Sequence, residues 1–469
     1  MSSPSCSSNP PIINFTALDA GASHRHQCFT LRNVCLFNGT LYPHSPDTAE
    51  AAHAKRIADS LIVRSQFGSH RTFAFSYLHP LLSPPRGSAA AALLSREPLS
   101  SCDTPLVWVP TWAFSFADSF VSSLLPIDEL QSAGLIDERV LLRPDLWAWP
   151  RSKNPIYRMI GALSSRQIRS LRESAPICNE RAARRNLEGT NGKRRGAHCM
   201  PQCYEKLLLC NFKSTFDTYE SPMAPWRAAQ RVGVSVLSKR PVDTRTALAM
   251  IPPAPTQQEV ADAIEAVPLR RGEREAGATP RLLRVLFVNR TRTKFPRSLH
   301  NLRLLLQRCE NQGARERWAP GWRVRCTPHE FGAGSLADDV RAARSADVLV
   351  GTHGAGLANA FFLPKGGSLV EVRPYNFEGP WPDKYFRALT SLERSIHYYQ
   401  VTSGSASLSI PTPLDNVSVW DARDHAVRLP WRTLVEVLKS IIRVNGGTQR
   451  YLDLLWTKGV TFVSHAHQL

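Results

Sequence analysis

Asp347-Val-Leu-Val-Gly-Thr-His-Gly-Ala-Gly-Leu-Ala-Asn359 is the stretch whose reading decides the fold. A short apolar run reads as a core strand and passes straight into Gly351, and a helix is expected over Ala355 to Phe361. Glycines let the backbone turn tightly and approach a ligand closely, while the first amides of a helix favour an anion. A turn that needs glycine only for its geometry is the plainer reading of the same residues.

The texture around this stretch repeats it. Leu282 to Asn289 reads as a buried strand and Arg297 to Cys309 as a helix through Leu299, Leu302, Leu305 and Leu306. Trp322 to Cys326 reads as a strand, Ser335 to Arg344 as a helix, and Ser368 to Arg373 as a third core strand. A helix at Trp381 to Leu392 and a strand at His397 to Val401 follow. Strands alternating with helices at this spacing predict a doubly wound parallel sheet. In such a sheet ligands bind at the carboxyl ends of the strands.

The remainder is read more coarsely. Residues 1–27 form a lead, 28–240 an N-terminal domain, 241–281 a linker rich in Pro, Ala and charge, 282–445 the C-terminal domain, and 446–469 a tail segment. Phe29, Leu31, Val34, Leu36 and Leu41 frame an Asn38-Gly39 hairpin turn. Pro84 to Ala92 reads as a loop. Val107 to Ile127 reads as an apolar helix ended by Pro126. Arg181 to Gly196, with six basic residues and one acid, reads as a solvated loop.

At 469 residues the chain is long enough for two or three domains of ~150 residues. Hydrophobic residues at 43% and charged residues at 21% make it globular and not a disordered tail. Its 58 Lys and Arg against 39 acids leave a formal +19, which calls for an anionic partner: nucleic acid, a membrane surface or a phosphorylated small molecule. No run of ~20 apolar residues would span a bilayer, and the Ser/Pro-rich Met1 to Pro11 does not read as a signal peptide. Cys28 with Cys35, and Cys199 with Cys203 and Cys210, lack the Cys-x-x-Cys pairs of a zinc site, which leaves structural disulfides or buried thiols. Asn-x-Ser/Thr triplets begin at Asn14, Asn38, Asn289 and Asn416 and, with the cysteine groups, lean toward a lumenal protein.

Several chemistries are set aside on spacing. Gly351 and Gly356 have P-loop spacing, but Leu357-Ala358 replace the lysine and hydroxyl. Gly354, Gly356 and Asn359 match a dinucleotide fingerprint only in part, with Glu371 fifteen residues past Gly356. There is no Gly-x-Ser-x-Gly elbow. His329-Glu330 lacks the second zincin histidine. No Asp-x-Asp metal grip occurs, and Asp338-Asp339 reads as the solvated face of a helix. From Arg281 to Cys309 there are eight basic residues and no acid, and Arg290, Arg292, Lys294 and Arg297 follow directly on the first C-terminal strand. Guanidinium forks suit a diphosphate, so the two loops together suggest a nucleotide-diphosphate ligand.

Gly351 to Pro364 and then Gly367 to Pro374 resemble the C-terminal motif of glycosyltransferase family 61, a Gly-x-His-Gly-Ala-Gly-Leu-x-Asn turn followed by a strand ending near Glu-x-x-Pro. Arg290 with Arg297-Ser-Leu-His-Asn301 is similar to the family's arginine element. Leu31-Arg-Asn-Val-Cys35 and Cys203 to Cys210 look like family landmarks. The resemblance touches most of 27–445 and is strong from about 282 to 401. It implies an α/β, GT-B-like architecture of two Rossmann-like parallel-sheet domains with the site in the cleft between them. It also implies an inverting transfer of xylose, arabinose or N-acetylglucosamine from a UDP-sugar to a glycan, polysaccharide or glycoprotein hydroxyl.

By position, Arg290, Arg297, Asn301, His353, Gly354, Gly356, Asn359 and Glu371 would form the donor pocket. The arginines would neutralise the diphosphate, and Glu371 would accept from ribose or sugar hydroxyls. No cofactor and no metal is expected beyond the UDP-sugar co-substrate, and no nucleic-acid partner. The resemblance places the chain in the Golgi or endoplasmic reticulum lumen, with membrane association only through an N-terminal anchor not seen in these residues. One departure stands out. Where the family carries an Asn-x-x-His-x-x-x-Asp-like stretch, this chain has Ser115 to Pro126, with Asp118 roughly at the histidine position. An inverting transfer needs a base, and Asp118 is the candidate, ahead of Asp103 and His79. The competing readings are a nicotinamide-linked oxidoreductase, a basic nucleic-acid-binding protein, and a protein that binds donor without transferring it.

Overall fold

The computed structural model describes residues 11–15, 27–37, 40–44, 52, 89–108, 110, 115–144, 155–169, 171–174, 201–212, 225–239, 241–242, 281–290, 297–312, 319, 321–383, 385–413 and 418–468. The Asn38-Gly39 turn, His79, the basic stretch Arg181 to Gly196, Cys199, linker residues 243–280, Arg292, Lys294 and Asn416 lie outside them. The chain divides into two compact units, Met1–Asp217 with Lys239–Pro241, and Thr218–Ser238 with Val242–Leu469. Both carry parallel strands and helices, which is the α/β, GT-B-like class expected.

The first unit holds a five-stranded sheet, ordered β2 (Thr40–Pro43), β1 (Gln27–Phe37), β5 (Gln202–Asn211), β3 (Pro105–Trp108), β4 (Leu141–Pro144). β3 runs parallel to β4 and β5, but β1 is antiparallel to both of its neighbours, so the sheet is mixed. The two-residue connection that sets Phe37 opposite Thr40 leaves room only for an antiparallel pair. Cys28 bonds Cys210 and Cys35 bonds Cys203, each across directly opposed positions of β1 and β5. A third disulfide, Cys309–Cys326, lies in the second unit, and among the described residues no cysteine is free.

Two readings of this half change. Ala89–Arg96 is a helix, so the loop expected to reach Ala92 ends sooner. Val107 to Ile127 is not one helix: Val107 and Trp108 end β3, and a helical run begins at Phe116 and continues through Pro126 to Ser132. Pro126 has no N–H for the Ser122 carbonyl. The chain meets this with a wide π turn over Phe120–Leu124, where the Leu125 amide reaches back to the Phe120 carbonyl.

The second unit is built on a six-stranded, wholly parallel sheet. Its order is β13 (Thr461–Ser464), β10 (His397–Ser403), β9 (Ser368–Arg373), β8 (Val348–Thr352), β6 (Arg281–Val288), β7 (Trp322–His329). β8, β9 and β10 are buried along their whole length, as central parallel strands covered on both faces must be. Val285, Phe287, Val350, Val372 and Val401 pack with Leu434, Leu438 and Ile441 of the helix Trp431–Val444. Residues 446–469 are part of this body: they supply the helix Thr448–Thr457 and the edge strand β13.

The helix Pro225–Ser238 also belongs here, although the sequence places it with the N-terminal half. Trp226 Nε1 donates to the Leu363 carbonyl at 2.9 Å, and Gln230 Nε2 donates to those of Phe361 and Leu363, both at 3.0 Å. These bonds satisfy carbonyls at the end of the helix that follows β8. The expected Arg297 to Cys309 helix starts only at Leu302, because Ser298 and His300 are hydrogen-bonded to Val427 in a bridge between Leu299 and Val427. The expected Trp381 to Leu392 helix is two, Pro380–Asp383 and Phe386–Glu393.

Candidate functional site

The chain leaves β6, forms β7 on one side of it, and returns to build β8 and the remaining strands on the other. The order therefore reverses between β6 and β8, and the carboxyl ends of strands flanking such a reversal open a crevice for ligands. Asn289-Arg290 follow β6 and His353-Gly354 follow β8, so the arginine loop and the glycine turn leave these two strand ends. At Gly354, φ is +154° and no side chain caps the 3₁₀ helix Ala355–Phe362 that starts there. A Cβ on Gly354 would lie 2.3 Å from Arg290 Nη1, and one on Gly351 would lie 2.8 Å from Val288 Cβ. Gly356 faces Val288 as well, at 3.2 Å. The glycines let the β8 turn close directly onto the end of β6.

Arg290 Nη1 donates to the His353 carbonyl at 3.4 Å, and Thr352 Oγ1 donates to the Arg297 carbonyl at 3.0 Å. Burial and, after it, the neighbouring Arg297 push the Arg290 guanidinium down to about 10. Burial and Arg423 lower Arg297 in the same way. Asp424 offsets this charge: it lies 3.3 Å from Arg297 Nε and takes a two-point contact from Arg423, at 2.8 and 3.1 Å. Three guanidiniums thus share one site with the Asp424 carboxylate. Such a cluster is suited to a multiply charged anion. Arg423 and Asp424 were not singled out on sequence. They arrive through the bridge that joins Leu299 to Val427, 128 residues apart, and no local pattern announces it.

Behind the turn lies a buried polar chain. His353 Nδ1 stands 2.5 Å from Glu371 Oε1, and its ring meets Phe377, Tyr385 and Phe386 edge-on. Glu371 Oε2 accepts from Arg373 Nε at 3.0 Å, from Arg373 Nη2 at 2.8 Å and from the Tyr398 hydroxyl. Arg373 continues to Asp383 at 2.7 Å. Burial alone would raise the Glu371 carboxyl, but Arg373 and His353 outweigh it and hold it at about 2. Burial lowers His353 from its ordinary value, and Glu371 opposes that shift. Facing an ionised carboxylate, Nδ1 is the nitrogen that donates. Both Glu371 oxygens have partners inside the protein.

The other sequence candidates fall elsewhere. Asn301 spends its whole amide on the Leu429 backbone, donating to the carbonyl at 2.9 Å and accepting from the amide at 3.0 Å. Asn359 is buried in the 3₁₀ helix and donates to the Gly356 carbonyl at 2.9 Å. Asp118, in the first unit, is half-buried and its amide donates to the capping Ser115 hydroxyl at 3.4 Å. Asp103 lies 3.7 Å from Arg166. Asp338 is exposed and completes a capping box with Ser335. Asp339, by contrast, is buried and holds His329 at 3.0 Å, so only one of that pair lies on the solvated face.

A family comparison bears on the same residues. Residues 167–370 match the family model Glycosyltransferase 61. The matched span covers Arg290, Arg297, Asn301 and the whole glycine turn, and the resemblance read from the sequence is borne out. Over 79 residues the chain is 38% identical to Protein O-linked-mannose beta-1,4-N-acetylglucosaminyltransferase 2 of Xenopus tropicalis. That stretch is 16% of this chain and 14% of the relative, so the chain matches about a seventh of the relative's length. Glu371, Arg373, Arg423 and Asp424 lie beyond the family-matched span.

Proposed function

We propose that the chain is an inverting glycosyltransferase that binds a UDP-sugar and transfers its sugar to a hydroxyl of a glycan or glycoprotein. The observation that carries this reading is Arg290 and Arg297, leaving β6, meeting the glycine turn at the end of β8. In the reaction the acceptor oxygen forms a bond to the anomeric carbon as the bond from that carbon to the diphosphate oxygen breaks. The acceptor proton passes to a base, and UDP leaves with its charge held by Arg290, Arg297, Arg423 and the backbone amides at the helix start. Donors fixed in place before the charge develops stabilise the transition state more than mobile water does. Asp118, a half-buried carboxylate on a helix of the first unit, is the base in this proposal. His353, fixed by Glu371, holds the turn against Arg290.

The named relative is, by its name, an N-acetylglucosaminyltransferase acting on protein O-linked mannose. That favours N-acetylglucosamine as the first donor to test, ahead of xylose and arabinose. The disulfides among the described residues favour an oxidising compartment, and hence the secretory-pathway lumen. Among the described residues no helix is long and apolar enough to cross a membrane. The test is thermal stabilisation of the purified chain by UDP, UDP-sugars, NAD and a short RNA. A ligand at about 100 times its Kd adds ~2.7 kcal/mol. A shift with uridine nucleotides alone supports the reading; a shift with RNA or NAD alone replaces it.

A further inference from the structure

Few large apolar side chains of the described residues remain exposed, and one of them, Trp420 at 48%, stands against the arginine cluster. Its indole lies under the Arg423 guanidinium, 5.4 Å from Cζ to the ring centroid. Arg423 is oriented by its two-point contact with Asp424, and Asp424 in turn contacts Arg297. The short helix Val419–Arg423 that carries the indole is capped by Ser418, which accepts from the Asp421 amide at 3.2 Å and donates to Asp421 Oδ2 at 2.7 Å. The indole is thus held at the rim of the cluster, against the Arg423 guanidinium.

We infer that Trp420 is a stacking platform for the nucleobase of the bound nucleoside diphosphate. The inference rests on the donor reading above and adds a residue that reads the base end. An indole offers a flat face to a pyrimidine ring, and base-on-aromatic stacking is worth about 1–3 kcal/mol by alanine substitution, or roughly 5- to 150-fold in affinity. A guanidinium laid over the indole keeps the side chain from collapsing onto the protein surface. The contacts run from Arg297 through Asp424 and Arg423 to Trp420, so the indole adjoins the charge cluster without being part of it.

The experiment measures UDP and inorganic pyrophosphate affinities by calorimetry for the full chain, Trp420→Ala and Trp420→Phe. Unchanged melting temperatures show that each variant is folded. Trp420→Ala is expected to weaken UDP about 5- to 150-fold and leave pyrophosphate unchanged, while Trp420→Phe stays within about threefold of the parent. Equal loss of UDP and pyrophosphate in Trp420→Ala would mean that the indole merely positions Arg423, and would overturn stacking. A parent chain that binds UDP as well as Trp420→Ala does would overturn this inference alone. A folded parent chain that binds no UDP would overturn the donor reading, and this inference with it.

Discussion

The guanidinium of Arg290 occupies the space that a side chain on Gly354 would need, with Nη1 only 2.3 Å from the position of that missing Cβ. The two residues belong to loops that leave neighbouring strands, and each fixes the other's place. An alanine at 354 would clash with Arg290 and hold a φ near +154°, a backbone strain of about 1–3 kcal/mol. Gly354→Ala is expected to lower UDP affinity at least about tenfold by displacing one charge-assisted contact. Calorimetry on the folded variant checks this, and parental affinity would sink the idea that the pair forms the diphosphate grip.

Glu371 joins His353, Arg373 and Tyr398 in a region closed to water. Removing the carboxylate leaves Arg373 buried with Asp383 as its remaining acidic contact. Breaking a buried pair by taking away one partner costs about 3–5 kcal/mol. Glu371→Ala is expected to lower the unfolding free energy by about that amount in urea melts. Glu371→Gln, which keeps the shape, should cost less but let the His353 ring turn, lowering the transfer rate more than the donor KM. A Glu371→Ala chain as stable as the parent would contradict the network as described.

His397 begins β10 fully buried, stacked on Tyr451, with neither ring nitrogen hydrogen-bonded. Burial lowers it from 6.5 to about 4. The unfolded chain therefore takes up a proton that the folded chain refuses, and stability falls as pH drops from about 6.5 to about 4. The full effect is roughly 3 kcal/mol. Glu371 acts in the same direction in a lower window, between 4.5 and about 2. A melting-temperature series over pH 7.5 to 4 for the parent and His397→Phe separates them: the variant should lose the upper part of the slope. Parallel curves would mean that His397 is not the group responsible.

Cys28–Cys210 and Cys35–Cys203 close loops of 182 and 168 residues between β1 and β5. Disulfides of this kind stabilise a small body by about 2–5 kcal/mol each. Reductant is expected to lower the denaturation midpoint of the chain, and Cys28→Ala with Cys210→Ala should reproduce part of that loss without reductant. Peptide mapping under non-reducing conditions should recover both pairs. Recovery of free thiols at these four positions would contradict the pairing.

The second unit was readable because its strands are short apolar runs with a glycine or an arginine close to their carboxyl ends, as at Val348–Thr352 and Arg281–Val288. Arg290, Arg297 and His353 were singled out for the same reason, since each follows a strand the pattern marks, and the structure brings them together. Arg423 and Asp424 were not, since only the Leu299–Val427 bridge places them. Glu371 was read as a ligand contact, and a carboxylate in a β-strand does not announce that Arg373 and Tyr398 lie within reach. Asn301 likewise carries the family spacing while its amide serves the Leu429 backbone. Pro126 misled because a π turn can take a proline into a helix, and spacing alone does not show that turn.

The proposal rests on Arg290 and Arg297 holding the diphosphate of a uridine nucleotide. Its most direct test is calorimetric titration of UDP into the full chain in the presence of a chelator, beside Arg290→Ala and Arg297→Ala. The account predicts saturable binding by the parent chain and a loss of roughly 10- to 150-fold in each variant, the worth of a hydrogen bond to a charged group. Binding that persists unchanged when either arginine is removed, or a folded parent chain that takes up no UDP, would contradict it.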